Sequence, residues 1–266
     1  MNNNQKTIDK EIFFTDSQKD LNMISLLSGA YGTGKTFLTI SLAHAFSLLK
    51  KRVLFFDADW GKYNISSYLG LENNKNLNDV VYRNMTLNQI ITRYEKAGFD
   101  ILAGNEQYSS LSMLPIGRLQ LLSDDLSLIS RSYDSVFVDI SSEKKKFSQL
   151  IAGNTKTNLL IISPNPQSLV GGYEIINQIK TQYPENEMYI IVNQVNSERE
   201  GLMIYNTLAQ SISRFSNIEV PLIGIVRNDT RIRDCQRNQA LLLSRYPTSD
   251  AAVDIMSIAK KLIKKE

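Results

Sequence analysis

The residues of this chain with the clearest chemical pattern form a glycine-rich segment, Gly29-Ala-Tyr-Gly-Thr-Gly-Lys-Thr36. The segment fits Gly-x-x-x-x-Gly-Lys-Ser/Thr, a loop whose backbone N–H groups surround phosphate oxygens. Gly32 and Gly34 allow the tight curl that such a loop needs, and a helix that starts near Lys35 would add its positive dipole end. The segment therefore predicts a phosphate-binding loop; the alternative interpretation is a glycine-rich turn without a ligand.

Each side chain of the predicted loop has an expected role toward ATP or ADP and Mg²⁺. We expect the Lys35 ammonium to contact the β- and γ-phosphates, where it also acts catalytically, and the Thr36 hydroxyl to bind Mg²⁺. The residues of this segment that are expected to bind the nucleotide are Gly29, Tyr31, Gly32, Thr33, Gly34, Lys35, Thr36 and Phe37.

Carboxylates end two apolar segments of strand length. Tyr133-Asp-Ser-Val-Phe-Val-Asp139 ends in Asp139, which we expect to hold Mg²⁺ through water. Arg52-Val-Leu-Phe-Phe-Asp-Ala-Asp59 ends in Asp57 and Asp59, whose spacing places both on one face of the strand end. Asp57 is expected to support the water shell of the metal, and Asp59 to orient or deprotonate the attacking water. The alternatives are a turn or helix cap at Asp139 and solvated loop acids at the other two positions.

Apolar segments of strand length alternate along the chain with longer segments of helical spacing. Predicted strands cover Met23–Ser28, Arg52–Asp57, Phe99–Leu102, Ser135–Ile140, Asn158–Ser163, Met188–Val192 and Pro221–Val226. Predicted helices cover Thr36–Lys50, Ile116–Ser132, Ser168–Tyr183, Gly201–Phe215 and Ala251–Lys264. The alternation predicts an α/β fold with a single doubly wound, mostly parallel sheet flanked by helices. The glycine-rich loop and the acids then share the carboxyl edge of that sheet.

The composition bounds the classes of protein to which this chain can belong. Of its 266 residues 42% are hydrophobic and 21% charged, and the net charge of +3 predicts neither nucleic-acid nor lipid binding. The single cysteine, Cys235, excludes a disulfide framework and a Cys-x-x-Cys site, and it favours a cytoplasmic location. No run approaches the roughly 18 apolar residues of a membrane span. The polar start predicts a flexible leader at 1–22 before a P-loop domain at 23–266.

Taken in order, the motifs of this chain resemble those of the MinD/ParA family of dimerising P-loop ATPases from Met23 onward. Asp57-Ala-Asp-Trp-Gly-Lys-Tyr-Asn64 is similar to the switch I segment of the family, and Asp139-Ile-Ser-Ser lies where switch II is expected. Ile191-Val-Asn-Gln-Val195 resembles the strand whose asparagine, here Asn193, reads the base. Asn193 therefore joins the expected nucleotide-binding residues.

Further segments extend the resemblance toward the end of the chain. Ile161-Ile-Ser-Pro-Asn-Pro-Gln-Ser168 resembles the strand-to-helix segment Thr-x-Pro-Glu-Pro. Pro221–Asp229 and Tyr246–Ala252 are similar to the closing segments of the family. Pro-x-Pro-x-x-Leu, followed by the aromatic Tyr173, is most similar to the flagellar-number regulators of the FlhG/FleN branch.

The resemblance implies a switch ATPase that binds Mg-ATP and hydrolyses it slowly to ADP and phosphate. Such a switch regulates the position or the number of a cellular structure such as the flagellum. The resemblance also implies an ATP-dependent homodimer or a protein partner, in the cytoplasm or at the periphery of the inner membrane.

The chain departs from the family at the signature lysine, which reaches the phosphates of the partner subunit. Alignment on Gly34-Lys35-Thr36 places Ala30 at that lysine and Tyr31 at the next glycine. A nucleotide-binding scaffold with little or no hydrolysis is therefore the main alternative. Lys62 is a candidate substitute, with an ordinary exposed lysine as the other interpretation. A second departure is Gly171-Gly172, where the flagellar relatives carry Asp-Ala.

Two basic segments leave further alternatives open. Arg227, Arg231, Arg233 and Arg237 could form a basic face, as a DNA-partition ATPase of the ParA type would need, but without interleaved aromatic residues they do not predict nucleic-acid binding. The predicted last helix, Ala251–Lys264, has an apolar face and four lysines in or just after it. Such a helix can lie on an anionic membrane, or it can pack on the core with a solvated basic face.

Overall fold

The computed structural model describes most of the chain. The residues described are 22–58, 65–71, 75–83, 85–104, 125–126, 128–140, 152, 155–216 and 218–265. Three predictions fall largely or wholly elsewhere: the leader before residue 22, the first part of the helix at Ile116–Ser132, and the switch I positions Asp59 and Lys62. They lie outside the described residues.

An eight-stranded sheet forms the centre of the described structure. Its strands are β1 (Met23–Ser28), β2 (Val53–Ala58), β3 (Thr92–Tyr94), β4 (Phe99–Leu102), β5 (Ser135–Ile140), β6 (Thr157–Ile162), β7 (Glu187–Val195) and β8 (Leu222–Arg227). They lie in the order β3-β4-β2-β5-β1-β6-β7-β8. All pairs are parallel except β3 with β4. The mostly parallel sheet confirms the predicted fold class, and the antiparallel edge strand β3 is an addition that the sequence analysis did not predict.

Helices cover both faces of this sheet. They are α1 (Lys35–Leu48), α2 (Ile65–Leu69), α3 (Leu77–Arg83), α4 (Leu87–Ile90), α5 (Pro166–Gln182), α6 (Glu198–Phe215), α7 (Arg231–Arg237), α8 (Leu242–Arg245) and α9 (Asp250–Ile263). The predicted helices at α1, α5, α6 and α9 are confirmed with shifted ends. The shifts at the starts of α5 and α6 follow from side-chain caps, because the Asn165 carboxamide accepts from Gln167 N–H and the Ser197 hydroxyl from Glu200 N–H.

The core consists of one layer on each face of the sheet, which explains the continuously apolar strands. Strands β1, β2 and β5 are buried over their whole length. The apolar face of α9, with Ile255, Ile258 and Leu262, is buried in the layer that also contains α1. Packing on the core is therefore the observed arrangement of the last helix. Across the residues that the structure describes, none of the helices has both the length and the apolar character to cross a membrane.

His44 is buried on α1 and gives the fold a predictable pH dependence. Its Nε2 lies 3.4 Å from the Ser244 Oγ, while its Nδ1 has no hydrogen-bond partner in the described part of the chain. Burial lowers the pKa of His44 from 6.5 to about 4. Below the ordinary histidine pKa, His44 is protonated in the unfolded chain but stays neutral in the folded chain. The free energy of unfolding therefore decreases as the pH falls.

We therefore expect the free energy of unfolding to decrease by about 2–3 kcal/mol through His44 alone between pH 7.5 and 4.5. Urea unfolding of the wild type and of His44→Gln at both pH values isolates this contribution, because the carboxylates titrate in both proteins. Equal losses in the two proteins would show that His44 carries no such coupling.

Candidate nucleotide site

The glycine-rich segment is a loop between β1 and α1, at the carboxyl edge of the sheet. Gly32 and Gly34 have φ angles of 71° and 85°, in the left-handed region that glycine enters without strain. A Cβ on Gly34 would lie 2.4 Å from the Asn193 Nδ2, so this position also lacks space for a side chain. The loop thus has the curled backbone that the sequence pattern predicts, followed at once by the first turn of α1.

The start of the loop lies directly against the backbone of α5. A Cβ built on Gly29 would be 2.2 Å from the Gly171 carbonyl carbon, and one built on Gly171 would be 2.1 Å from the Gly29 oxygen. Two backbones can approach so closely only where both residues lack a side chain. The departure from Asp-Ala at Gly171-Gly172 therefore has a structural basis in this chain, because Gly171 belongs to a contact with the phosphate-binding loop.

Asp139 is the centre of a buried polar network that joins the loop to β5. Its Oδ1 lies 2.5 Å from the Lys35 Nζ, and its Oδ2 accepts a hydrogen bond of 2.7 Å from the Thr36 hydroxyl. The Thr39 hydroxyl lies 3.2 Å from Oδ1 and 2.9 Å from the Lys35 carbonyl oxygen. Asp139 is fully buried, and Lys35 is 6% exposed. The structure thus brings together Lys35, Thr36 and Asp139.

Asp57 lies beside Asp139, because the two are register partners on the adjacent strands β2 and β5. It is fully buried, and its Oδ2 accepts a hydrogen bond of 3.1 Å from the Ile65 N–H at the start of α2. Within the described ranges no group of three or more His, Cys, Asp or Glu side chains could hold a metal ion. The carboxylates of Asp57 and Asp139 suit Mg²⁺, because this ion usually keeps several waters and takes only one or two protein ligands together with phosphate oxygens.

The bulged end of β7 holds the other side of the loop. The Asn193 Nδ2 donates a hydrogen bond of 2.7 Å to the Thr33 carbonyl, and the Gln194 Nε2 donates one of 2.8 Å to the Gly32 carbonyl. The register of β7 against β8 shifts between Asn193 and Val195. Asn193 is therefore placed at the loop, where its amide nitrogen contacts the backbone. Its predicted reading of the base stays a prediction.

The remaining predicted residues occupy different surroundings. Tyr31 is 68% exposed at the tip of the loop, whereas Thr33 is buried beneath it. The Phe37 side chain, on the third residue of α1, is buried in the hydrophobic core. The Arg227 guanidinium forms ion pairs of 2.8 and 2.9 Å with Asp250 and Asp254, which removes it from the basic face considered above.

The sequence analysis missed two residues of the site, Thr39 and Gln194. Thr39 had a usable signal, because it lies four residues after Lys35 and so on the same face of α1. Gln194 had none, because its contact depends on a bulge and on a loop more than 160 residues away in sequence.

Comparison with known proteins identifies relatives along almost the whole chain. The family model of the CobQ/CobB/MinD/ParA nucleotide binding domain matches residues 24–242. The antiactivator FleN of Pseudomonas aeruginosa is 24% identical over 249 residues, which cover 92% of this chain and 88% of FleN. The flagellum site-determining protein YlxH of Helicobacter pylori is 25% identical over 256 residues, covering 95% of this chain and 85% of YlxH.

A solved structure supports the same fold. The septum site-determining protein MinD of Pyrococcus horikoshii, complexed with Mg-ADP, superposes with a TM-score of 0.71 at 20% identity. The superposition covers 91% of this chain and 96% of that protein. The superposition therefore shows that this chain has the fold of that protein.

Proposed function

This chain belongs to the CobQ/CobB/MinD/ParA nucleotide-binding family, and we propose that it is a Mg-ATP-binding, slowly hydrolysing switch ATPase of the MinD/FlhG kind. In this proposal it regulates the position or the number of a cellular structure such as the flagellum. The similarity to FleN and YlxH supports the cellular role. The observation that carries the biochemical role is the buried network in which Asp139 binds both Lys35 and Thr36 beside the curled loop.

The residues of the loop and its surroundings fit a Mg-nucleotide. The N–H groups of residues 32–36 and the start of α1 would hold the phosphates. Lys35 would exchange Asp139 for the β- and γ-phosphates, while Thr36, Asp57 and Asp139 would hold Mg²⁺ and its waters. Mg²⁺ supplies charge neutralisation of the phosphate oxygens when it is bound. Asp59, assigned from the sequence alone, would orient the attacking water.

A nucleotide-binding scaffold with little hydrolysis is the second candidate, and Ala30 at the signature position favours it. Loss of a cation that acts across a dimer interface can lower a phosphoryl-transfer rate by about 10³–10⁵. A DNA-partition role has less support, because Arg227 is paired with Asp250 and Asp254. We place the protein in the cytoplasm or at the inner face of the membrane, as an ATP-dependent homodimer or with a protein partner.

ATP turnover and molar mass by light scattering, each with and without Mg-ATP, test the proposal. Slow turnover with an ATP-dependent shift from monomer to dimer supports the switch. Nucleotide binding with neither turnover nor dimer supports the scaffold, and absence of nucleotide binding contradicts both.

We expect Asp59→Ala to lower ATP turnover by at least about 100-fold, because a carboxylate that positions or deprotonates the attacking water contributes on that scale. Binding of Mg-ADP should stay close to that of the wild type, since Asp59 is assigned to the water and not to the phosphates. Asp134→Ala is a matched control, because its exposed ion pair with Arg52 lies at the opposite end of β5. Turnover retained in Asp59→Ala would contradict the assignment.

A further inference from the structure

Gln194 has a backbone conformation that its residue type does not favour. Its φ angle is 65°, in the left-handed region, although it carries a Cβ. A non-glycine residue there costs about 1–2 kcal/mol. It lies in the bulge of β7, where the register against β8 shifts. Such strain is retained where the surrounding structure fixes it, and it is frequent at functional sites.

The contact that the Gln194 side chain makes explains why this strained backbone conformation is retained. It is exposed to solvent, and so it contributes little to the core. Its Nε2 reaches across to the phosphate-binding loop and donates a hydrogen bond of 2.8 Å to the carbonyl of Gly32. Its neighbour Asn193 donates in the same way to the carbonyl of Thr33, so two consecutive side-chain amides hold two consecutive carbonyls.

Gly32 is an exposed glycine of the loop, and such a restraint can act on it. A Cβ built on it would meet nothing within 4 Å among the described residues, so open space lies on this side of Gly32. Glycine also has the greatest backbone freedom of any residue. A loop that binds phosphate through N–H groups requires its carbonyls to point away from the anion, because a carbonyl turned inward would repel it.

We propose that Gln194 is a positioning residue for the nucleotide, which keeps the Gly32 carbonyl turned away from the phosphates. The inference rests on the proposed nucleotide-binding function. In this role the strained bulge holds the loop in place and lowers the free energy of unfolding of the protein. Loss of the donor therefore weakens nucleotide affinity, whereas relief of the strain by glycine makes the nucleotide-free protein more stable than a donor-free variant that keeps the Cβ.

Two variants separate the donor from the strain. Gln194→Leu keeps the Cβ and the approximate size but has no N–H to donate, while Gln194→Gly removes both the donor and the strain. Calorimetric titration with Mg-ADP should give an affinity about 5–10-fold weaker than that of the wild type for both variants, the usual effect of one lost hydrogen bond. Without nucleotide, Gln194→Gly should melt about 2–4 °C above Gln194→Leu. Gln210→Leu, on the exposed face of α6, is the matched control and should bind Mg-ADP like the wild type.

The outcomes distinguish this inference from the function on which it rests. A wild type that does not bind Mg-ADP overturns the proposed function, and this role of Gln194 with it. A wild type that binds, with both Gln194 variants within twofold of it, overturns the positioning role alone. A Gln194→Gly variant that melts below Gln194→Leu also overturns the inference, because the left-handed backbone at this position would then carry no strain that the contact with the loop has to offset.

Discussion

Lys35→Met is expected to lower the free energy of unfolding by about 3–5 kcal/mol in the absence of nucleotide. The reason is that the Lys35 ammonium lies 2.5 Å from the Asp139 carboxylate, which is fully buried. Removal of the lysine leaves a buried negative charge without this cation, and the two hydroxyls of Thr36 and Thr39 replace only part of the stabilisation. Substitution of the lysine that is proposed to bind the phosphates is thus also expected to weaken the fold.

A double-mutant cycle tests this explanation. Asp139→Asn in the Lys35→Met background removes the uncompensated charge, so the double variant should be more stable than Lys35→Met alone. Urea unfolding measures all four proteins. Mg-ADP should raise the unfolding midpoint of the wild type but not of the two variants that lack Lys35, since this lysine is proposed to bind the phosphates. A double variant less stable than Lys35→Met would contradict the buried charge as the cause.

The cycle also bears on the mechanism of nucleotide binding. Because Lys35 and Thr36 both contact Asp139, Mg-ATP bound as proposed would exchange these contacts for its own. Asp139→Asn alone should therefore weaken the contact that holds the Lys35 ammonium in the nucleotide-free protein. The same substitution removes a carboxylate that is expected to hold Mg²⁺. We expect its affinity for nucleotide without Mg²⁺ to decrease less than its affinity for Mg-nucleotide.

The sequence predicted the parts of the site that depend on local pattern. The curl at Gly32 and Gly34, the start of α1 near Lys35 and the strand that ends in Asp139 all follow from neighbouring residues. Parallel strands place their carboxyl ends on one edge, so the meeting of Lys35 with Asp139 was predictable from topology. Their direct pairing was not, because it depends on side-chain positions in the nucleotide-free protein.

Contacts between distant segments lay beyond the sequence analysis. The short strand β3 has only three residues, too few for a readable alternation, and its pairing with β4 comes from the tight turn at Gly98, whose φ is 69°. The sequence analysis ended the seventh-strand segment at Val192, whereas the strand β7 continues through the bulge at Gln194 to Val195. Gly171 appeared only as a departure from relatives, and its contact with Gly29 requires the packing of α5 against the loop.

Gly171→Ala is expected to lower the free energy of unfolding by about 1–3 kcal/mol, the range found for overpacked sites, and to weaken Mg-ADP binding by about tenfold or more. The new Cβ would be 2.1 Å from the Gly29 oxygen, and the obstacle is backbone, so either α5 or the phosphate-binding loop has to move. An alanine in a helix is otherwise favourable by about 1 kcal/mol over glycine. A loss of stability in Gly171→Ala would therefore have the opposite sign to the change that helix propensity alone predicts.

Gly172→Ala is the matched control, because it makes the same substitution one residue later in α5. Its Cβ would be 3.1 Å from the Ile162 Cγ2, a side-chain atom that can shift. We expect its free energy of unfolding to stay within about 1 kcal/mol of the wild type, with nucleotide affinity unchanged. The difference between the two variants thus measures the contact of α5 with the loop. If both variants bind Mg-ADP equally well, the loop does not depend on that contact; if only Gly171→Ala fails, the close contact between α5 and the loop is required for the nucleotide site.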